Sequence, residues 1–269
     1  MGAYDWAGQV DHAVRFDWGP EGAGRLADGS GCLVVVDVLS FTTAVGVAVE
    51  AGTRVFPYPW RDTPPSSPLR SEQGVPPAAV FAERHGAALA VGRRQVTERA
   101  PWSLSPAALR RAPFVERLVL PSPNGSAISA AAGDAVVVAA SLRNAAAVAR
   151  WLLGAGYATP ERPVSVVASG ERWPDGSLRP ALEDLLGAGA VITALRDGGA
   201  ALLSPEAVAA AASYDGTPRV AEAVTACASG RELASGGFAE DVAVAVEVGA
   251  SEVVPVLGDG VFAAVEQGC

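Results

Sequence analysis

Between Val164 and Leu195 the chain reads VSVVASGERWPDGSLRPALEDLLGAGAVITAL, with its charged residues grouped rather than scattered. Glu171, Arg172, Asp175 and Arg179 share one polar stretch, and the adjacent carboxylates Glu183 and Asp184 follow. Carboxylates gathered with few apolar neighbours are the donor set of a hard cation such as Mg²⁺, which takes oxygen ligands. A further acid, Asp37, closes the apolar run CLVVVDV and is followed by Leu39-Ser40-Phe41-Thr42-Thr43. Two turns add neutral donors, Asn124-Gly125-Ser126 and Ser141-Leu142-Arg143-Asn144. Amides and hydroxyls at a helix N-terminus make an anion site, and an arginine such as Arg143 adds a bidentate clamp. The same residues also make an ordinary capped turn, so the set of turns carries more weight than any one of them.

Those side chains need elements to hold them. Val164–Ala168 reads as a buried strand that stops at Ser169-Gly170, and Pro180 opens a helix with Glu183 and Asp184 in its first turn, where Pro and acids are favoured. Cys32–Val38 has the continuous apolar pattern of a strand buried on both faces. Further strands are expected at Arg54–Tyr58, Ala88–Val91, Arg117–Leu120, Asp134–Ala139 and Glu252–Leu257. Helices are expected at Thr42–Ala51, Pro77–His85, Ser126–Ala132, Asn144–Leu153, Pro205–Ala212, Pro218–Ser229 and Phe238–Val246. Seven prolines between 57 and 77 mark a long loop. The alternation predicts a three-layer α/β/α fold with a largely parallel or mixed sheet and a helical C-terminal part. It forms one domain over 1–269 or two lobes dividing near 195–215. Ligands of such sheets gather at the carboxyl ends of strands, so Asp37, Glu183 and Asp184 are expected to meet there.

Composition removes several functions. A net charge of −9 over 269 residues argues against a nucleic-acid surface. All twenty basic residues are arginine, which excludes a Schiff-base lysine and a Walker A lysine. Three scattered cysteines without a CxxC pair fit a reducing cytosol. The N-terminal residues carry acids and no apolar h-region, Trp6 stands where myristoylation needs Ser or Thr, and no apolar run reaches membrane-spanning length. A cytoplasmic protein with neither membrane nor nucleic acid as partner is expected. Arg84-His85-Gly86 spells a histidine-phosphatase motif but ends a predicted helix, and the only other histidine is His12. Leu39 stands where a haloacid-dehalogenase-type phosphatase carries its second Asp. Gly187 and Gly189, inside a predicted helix, read as close packing rather than a nucleotide loop.

Taken in order, VVVDVLSFTTAV, SPNGSAI, ASLRNAAAVA, SGERWPDGSLRPALEDLLGAGAVI and GRELASGGFAEDVAVAVEVGASEVVPVLGDGVF resemble the 2-phosphosulfolactate phosphatase (ComB-type) family. The resemblance runs roughly from Val34 to Phe262. It implies a ComB-like α/β fold and a Mg²⁺-dependent phosphatase acting on a small anionic phosphomonoester such as 2-phospho-3-sulfolactate. On that reading Asp37 holds the metal with Glu183 and Asp184, and Glu171 is an alternative ligand. Asp37, Glu171 and Asn124 form the catalytic group. Ser40, Thr42, Thr43, Gly125, Ser126, Ser141 and Asn144 orient the substrate, with charge from Arg143 and Arg172.

Three motif positions depart from the family. Ser40 stands in place of an arginine, Val91-Gly92-Arg93-Arg94 in place of a Gly-Glu-Arg segment, and Ser103-Leu104-Ser105-Pro106 in place of Gly-Asn-Ser-Pro. Losing an arginine clamp removes roughly 1.5–3 kcal/mol of charge-assisted hydrogen bonding. Weak activity on 2-phosphosulfolactate and a different preferred phosphoester are therefore expected, with Arg93 or Arg94 as the compensating cation. The competing reading is a member that has lost catalysis and serves as a ligand-binding or assembly protein. Small-residue helices are compatible with a homodimer.

Overall fold

The apolar runs become the strands of one sheet. A computed structural model describes residues 6–59, 77–122, 124–131, 133 and 135–265. The order begins β1 (Val14–Trp18), α1 (Gly19–Ala27), β2 (Cys32–Val36), α2 (Phe41–Glu50) and β3 (Arg54–Pro59). Next come α3 (Pro77–Arg84), β4 (Ala88–Leu89), α4 (Pro106–Arg111), β5 (Arg117–Ser122), α5 (Gly125–Ala131), β6 (Val136–Ala140), α6 (Ala145–Gly154) and β7 (Val164–Ala168). A short hairpin of β8 (Glu171–Arg172) and β9 (Leu178–Arg179) precedes α7 (Leu182–Asp197). Helices α8 (Pro205–Asp215), α9 (Val220–Ala226), α10 (Ala228–Ser235) and α11 (Ala239–Ala245) lead to β10 (Pro255–Gly258) and β11 (Val261–Ala264).

Among the described residues nine strands form the sheet, in the order β1-β7-β2-β6-β10-β11-β3-β5-β4. β1, β7, β2 and β6 are mutually parallel, as are β3, β5 and β4. Between them β10 and β11 pair antiparallel to each neighbour, so the second parallel group runs opposite to the first. In a flat sheet the carboxyl ends of β2 and β5 would leave by opposite edges. Five strand steps separate them, and a twist of about 20–25° per step accumulates to roughly 100–125°. The sheet thus curls until Leu33 and Val35 of β2 share a core with Leu118 and Leu120 of β5 and Phe262 of β11. Helices α1, α2 and α5 fill that concave core, while α6, α7 and α8 cover the other face against Val34, Val36 and Val166. This is the three-layer mixed α/β arrangement expected.

Several local readings change. β1, α1, α4 and β11 carry no strong sequence signal and were not anticipated. The helix expected over Pro218–Ser229 is two helices, because Cys227 leaves the helical region (ψ 171) and caps α10, its sulfur accepting from the Gly230 amide at 3.4 Å. α7 starts at Leu182 rather than Pro180. Of the proline-rich stretch, Pro57–Pro59 extend β3 beyond its single pairing with β11, on an edge where a missing N–H costs nothing; residues 60–76 lie outside the described residues. Ala132 and Asp134, at the margins of two expected elements, lie outside them too. No helix among the described residues is long and apolar enough to cross a membrane.

The two glycines of α7 are packing residues. A Cβ on Gly187 would stand 2.7 and 2.8 Å from the methyls of Val38 and Val36, and one on Gly189 would press on the Ala210 carbonyl and lie 2.8 Å from the Tyr214 Cβ. Gly189→Ala is therefore expected to destabilise by about 1–3 kcal/mol through overpacking, although alanine is the better helix former. A thermal melt of the variant checks this; an unchanged or raised midpoint would contradict so close an α7–α8 contact.

Candidate functional site

Asp37 leaves the end of β2 into a turn that locks its own backbone. Its amide donates to Thr42 Oγ1 at 3.0 Å, that hydroxyl donates back to the Asp37 carbonyl at 2.8 Å, and Thr43 Oγ1 donates to the Val38 carbonyl at 2.8 Å. The Asp37 carboxylate accepts the Phe41 amide at 3.0 Å on Oδ1 and faces the Ser169 hydroxyl, at the end of β7, at 3.5 Å on Oδ2. The Leu39–Ser40 peptide within the turn is cis. Thr42 and Thr43 are buried, and their hydroxyls donate within this turn.

Asp184, in the first turn of α7, joins two strand ends. Its Oδ1 accepts the Val38 amide at 2.7 Å and its Oδ2 the Gly170 amide at 2.8 Å. Gly170 turns the chain out of β7 at φ 66, where a Cβ would also meet the Leu178 side chain at 2.7 Å. From that turn springs the β8–β9 hairpin, which brings Glu171 back over Asp37. Arg179 anchors the hairpin to α10 through both oxygens of Glu232, at 3.0 and 2.9 Å. Glu183 is buried beside Asp184 and accepts the Cys227 thiol at 3.2 Å. From the second parallel group, Asn124 reaches across and donates from Nδ2 to the Gly170 carbonyl at 3.2 Å. Trp18, Asn124, Ser169, Glu171, Arg172 and Leu178 line the resulting cleft.

Four carboxyls from three segments thus share one electrostatic neighbourhood. Burial pushes Asp37 up to about 6; the Phe41 amide, Arg93 and the Gly125 amide pull it down, and Glu183 pushes it further up. Glu171 rises to about 7, first by burial and then by the charges of Asp37 and Glu183. Asp184 is raised by burial and then by Asp37 and Glu183. Like charges held this close favour either protons or a cation in their midst.

Other expected substrate contacts are placed differently. Asn144 Oδ1 accepts the Ser141 amide at 2.8 Å, and its Nδ2 donates to the Ala139 and Val253 carbonyls at 3.3 and 3.0 Å. Arg143 is buried between Glu50 and Glu247, at 3.1 and 3.3 Å. The Ser141–Asn144 turn therefore ties β6 to the segment before β10, and the Asn144 and Arg143 donors expected as an oxyanion clamp have protein partners here. Arg172 lines the cleft, with Nη1 donating to the Gly176 carbonyl at 2.8 Å. Gly125 packs its backbone on the Phe41 ring, where any Cβ would collide. Ser126 is buried, and its hydroxyl has no partner among the described residues. Ser40 is buried and accepts from Arg93 Nη2. Sequence reasoning missed Asp241 and Ser169 as members of this neighbourhood; of the two arginines named as compensating cations, Arg93 is the one that reaches Ser40.

Among the described residues no three His, Cys, Asp or Glu side chains form a ready-made metal cage. Mg²⁺ keeps several waters and is bound through one or two carboxylates together with substrate phosphate, so the relevant comparison is with the single buried acids. The donors fit in kind: Asp37 and Glu183 are buried carboxylates without a cationic salt-bridge partner among the described residues. Asp184 fits less well, since each of its oxygens already accepts an amide.

The family model described as 2-phosphosulpholactate phosphatase matches residues 23–260. That span contains Asp37, Glu171, Glu183 and Asp184. No curated protein matches the chain.

Two outcomes follow from this geometry. Asp184→Ala leaves two buried amides without acceptors and is expected to cost about 3 kcal/mol or more; a loss below about 1 kcal/mol in urea unfolding would rule out the clamp. Second, Asp37 and Glu171 rise from ordinary values of 3.8 and 4.5 to about 6 and about 7. The metal-free folded chain then binds more protons than the unfolded chain between those limits, so their contribution to stability is present at low pH and is lost as pH rises. Carboxylates held low, such as Glu232 and Glu247, act in the opposite sense below that window. The urea midpoint without divalent cations should therefore be lower at pH 8 than at pH 5.5, and Glu171→Gln should flatten the difference. A midpoint that climbs across this range would contradict the buried-acid assignment.

Proposed function

Because the chain belongs to the 2-phosphosulpholactate phosphatase family, we propose that it is a Mg²⁺-dependent phosphomonoester hydrolase acting on a small anionic phosphoester. The observation that carries this reading is that Glu171, which lines the cleft with Asn124, feels the charges of the buried Asp37 and Glu183. Asp37 and Glu183 would hold the metal, with Asp184 fixing the adjoining backbone at Val38 and Gly170. Bound there, Mg²⁺ would neutralise phosphoryl oxygens and so lower the barrier to attack at phosphorus.

The protein's own groups do the rest. Asn124 donates toward the phosphoryl oxygens, in a cleft walled by Trp18 and Leu178 that keeps bulk water from the substrate body. Glu171, which lines the cleft, would give a proton from Oε to the leaving alkoxide oxygen as its bond to phosphorus breaks. The attacking water forms the new P–O bond, leaving one of its protons on the inorganic phosphate and returning the other to Glu171. The products are a free alcohol and phosphate. The family substrate, 2-phospho-3-sulfolactate, is the first of a panel of phosphorylated hydroxy acids to try.

Release of phosphate from such a panel is expected with Mg²⁺ and not with a chelator present. Asn124→Ala should lower kcat by about 10²-fold. Asp37→Asn should abolish turnover while holding or raising the metal-free melting temperature, since it removes a buried charge repelled by its neighbours. No phosphate release from any member, with the protein folded, would refute the reading and favour a non-catalytic ligand-binding role.

A further inference from the structure

Arg93 opens a 3-10 turn (Arg93–Gln95) in the long connection between β4 and α4, remote in sequence from every acid of the cleft, yet it is built into the site. Its Nε donates to Asp241 Oδ2 at 3.0 Å, its Nη2 donates to the Ser40 hydroxyl, and its guanidinium lies 5.8 Å from the centre of the Phe238 ring. Asp241 is itself buried and accepts from the Ser105 hydroxyl and, at 3.2 Å, from the Ala107 amide. Arg93 is thus held on three sides, while its Nη1 has no partner among the described residues. Its charge is also felt by Asp37.

We propose that Arg93 is the guanidinium that binds the substrate's phosphoryl oxyanion, taking over from position 93 the place that an arginine at position 40 would occupy. The inference deepens the phosphatase reading and rests on it for the identity of the anion. Several observations support it independently. Position 40 is a serine whose hydroxyl is the acceptor of that same guanidinium, so the two positions share one point in space. Asp241 occupies only the Nε edge, leaving the Nη1 hydrogens free to bind an oxyanion. A guanidinium needed only to neutralise Asp241 would have no reason to contact the turn that carries Asp37. Asp241, which touches Arg93, and Ser105, which touches Asp241, are then positioning residues. The segment Ser103–Pro106, which departs from the family pattern, is the one that holds Asp241 and thereby Arg93.

The test is calorimetric titration of the folded protein with inorganic phosphate and Mg²⁺, which reads the anion site whether or not any ester is turned over. Arg93→Met should weaken phosphate binding by about ten- to hundredfold with a melting temperature near that of the parent. Arg93→Lys, which keeps the charge without the planar fork, should fall between the two. The double change Ser40→Arg with Arg93→Glu restores a guanidinium to the same point and should recover most of the affinity; it also keeps the question open to measurement if Arg93→Met folds poorly. Phosphate binding by Arg93→Met within about twofold of the parent would overturn the proposal. Failure of the parent to bind phosphate would overturn it as well. Tight binding by the parent without ester hydrolysis would instead remove the catalytic reading and leave the Arg93 assignment standing.

Discussion

The carboxylate of Asp184 is the constraint on which the rest of the cleft depends. One oxygen holds the chain as it leaves β2 and the other holds it as it leaves β7. Between those two amides the first turn of α7 is fastened across neighbouring strand ends, and the flanking residues inherit their positions. Asp37 precedes the first clamped amide, Glu171 follows the second, and Glu183 adjoins the clamp itself. A negative charge there is also where the α7 dipole favours one. An acid that looks like a metal ligand by type is thus the structural member that positions its neighbours.

Bringing Asn124 to the same cleft required the sheet to curl. Its strand belongs to the parallel group that runs opposite to β2, and only the accumulated twist across β6, β10, β11 and β3 turns its carboxyl end back toward Gly170. The concave face this creates is filled by α2 and α5, whose contact is close enough that Gly125 has no room for a side chain beside Phe41. Site and core are coupled at that point, because the Phe41 amide also donates to Asp37.

What was legible in the chain followed from local physics. The buried strands β2, β6 and β7 announce themselves as unbroken apolar runs, and Asp37, Glu183 and Asn124 are conspicuous because they interrupt or follow such runs. What was not legible depends on partners distant in sequence. Nothing local distinguishes Thr42, whose hydroxyl closes its own turn, from a hydroxyl offered to a ligand. Arg143 reads as a free clamp until Glu50 and Glu247 are seen on either side of it. Strand β1 ends in Asp17-Trp18 and alternates weakly, so its place at the sheet edge beside β7 becomes evident only from the pairing. The reversal of the second parallel group likewise has no signature in periodicity, which is the same for a strand of either direction.

The same distinction applies to the departures from the family pattern. Counted by position, an arginine is missing at 40 and an acid at 93; viewed in space, Arg93 meets Ser40 and a guanidinium remains beside the Asp37 turn. An anion responds to where positive charge stands, not to which residue number supplies it. The route matters for the supporting shell, however. A side chain entering from the 92–95 loop comes from a more exposed and less constrained segment than one rising from the Asp37 turn, and an arginine has many rotamers to lose. Asp241, nearly inaccessible and fixed by Ser105 and the Ala107 amide, limits that freedom by pinning the Nε edge. Moving the charge to position 93 therefore makes the α4–α11 contact part of the site, although neither helix lines the cleft.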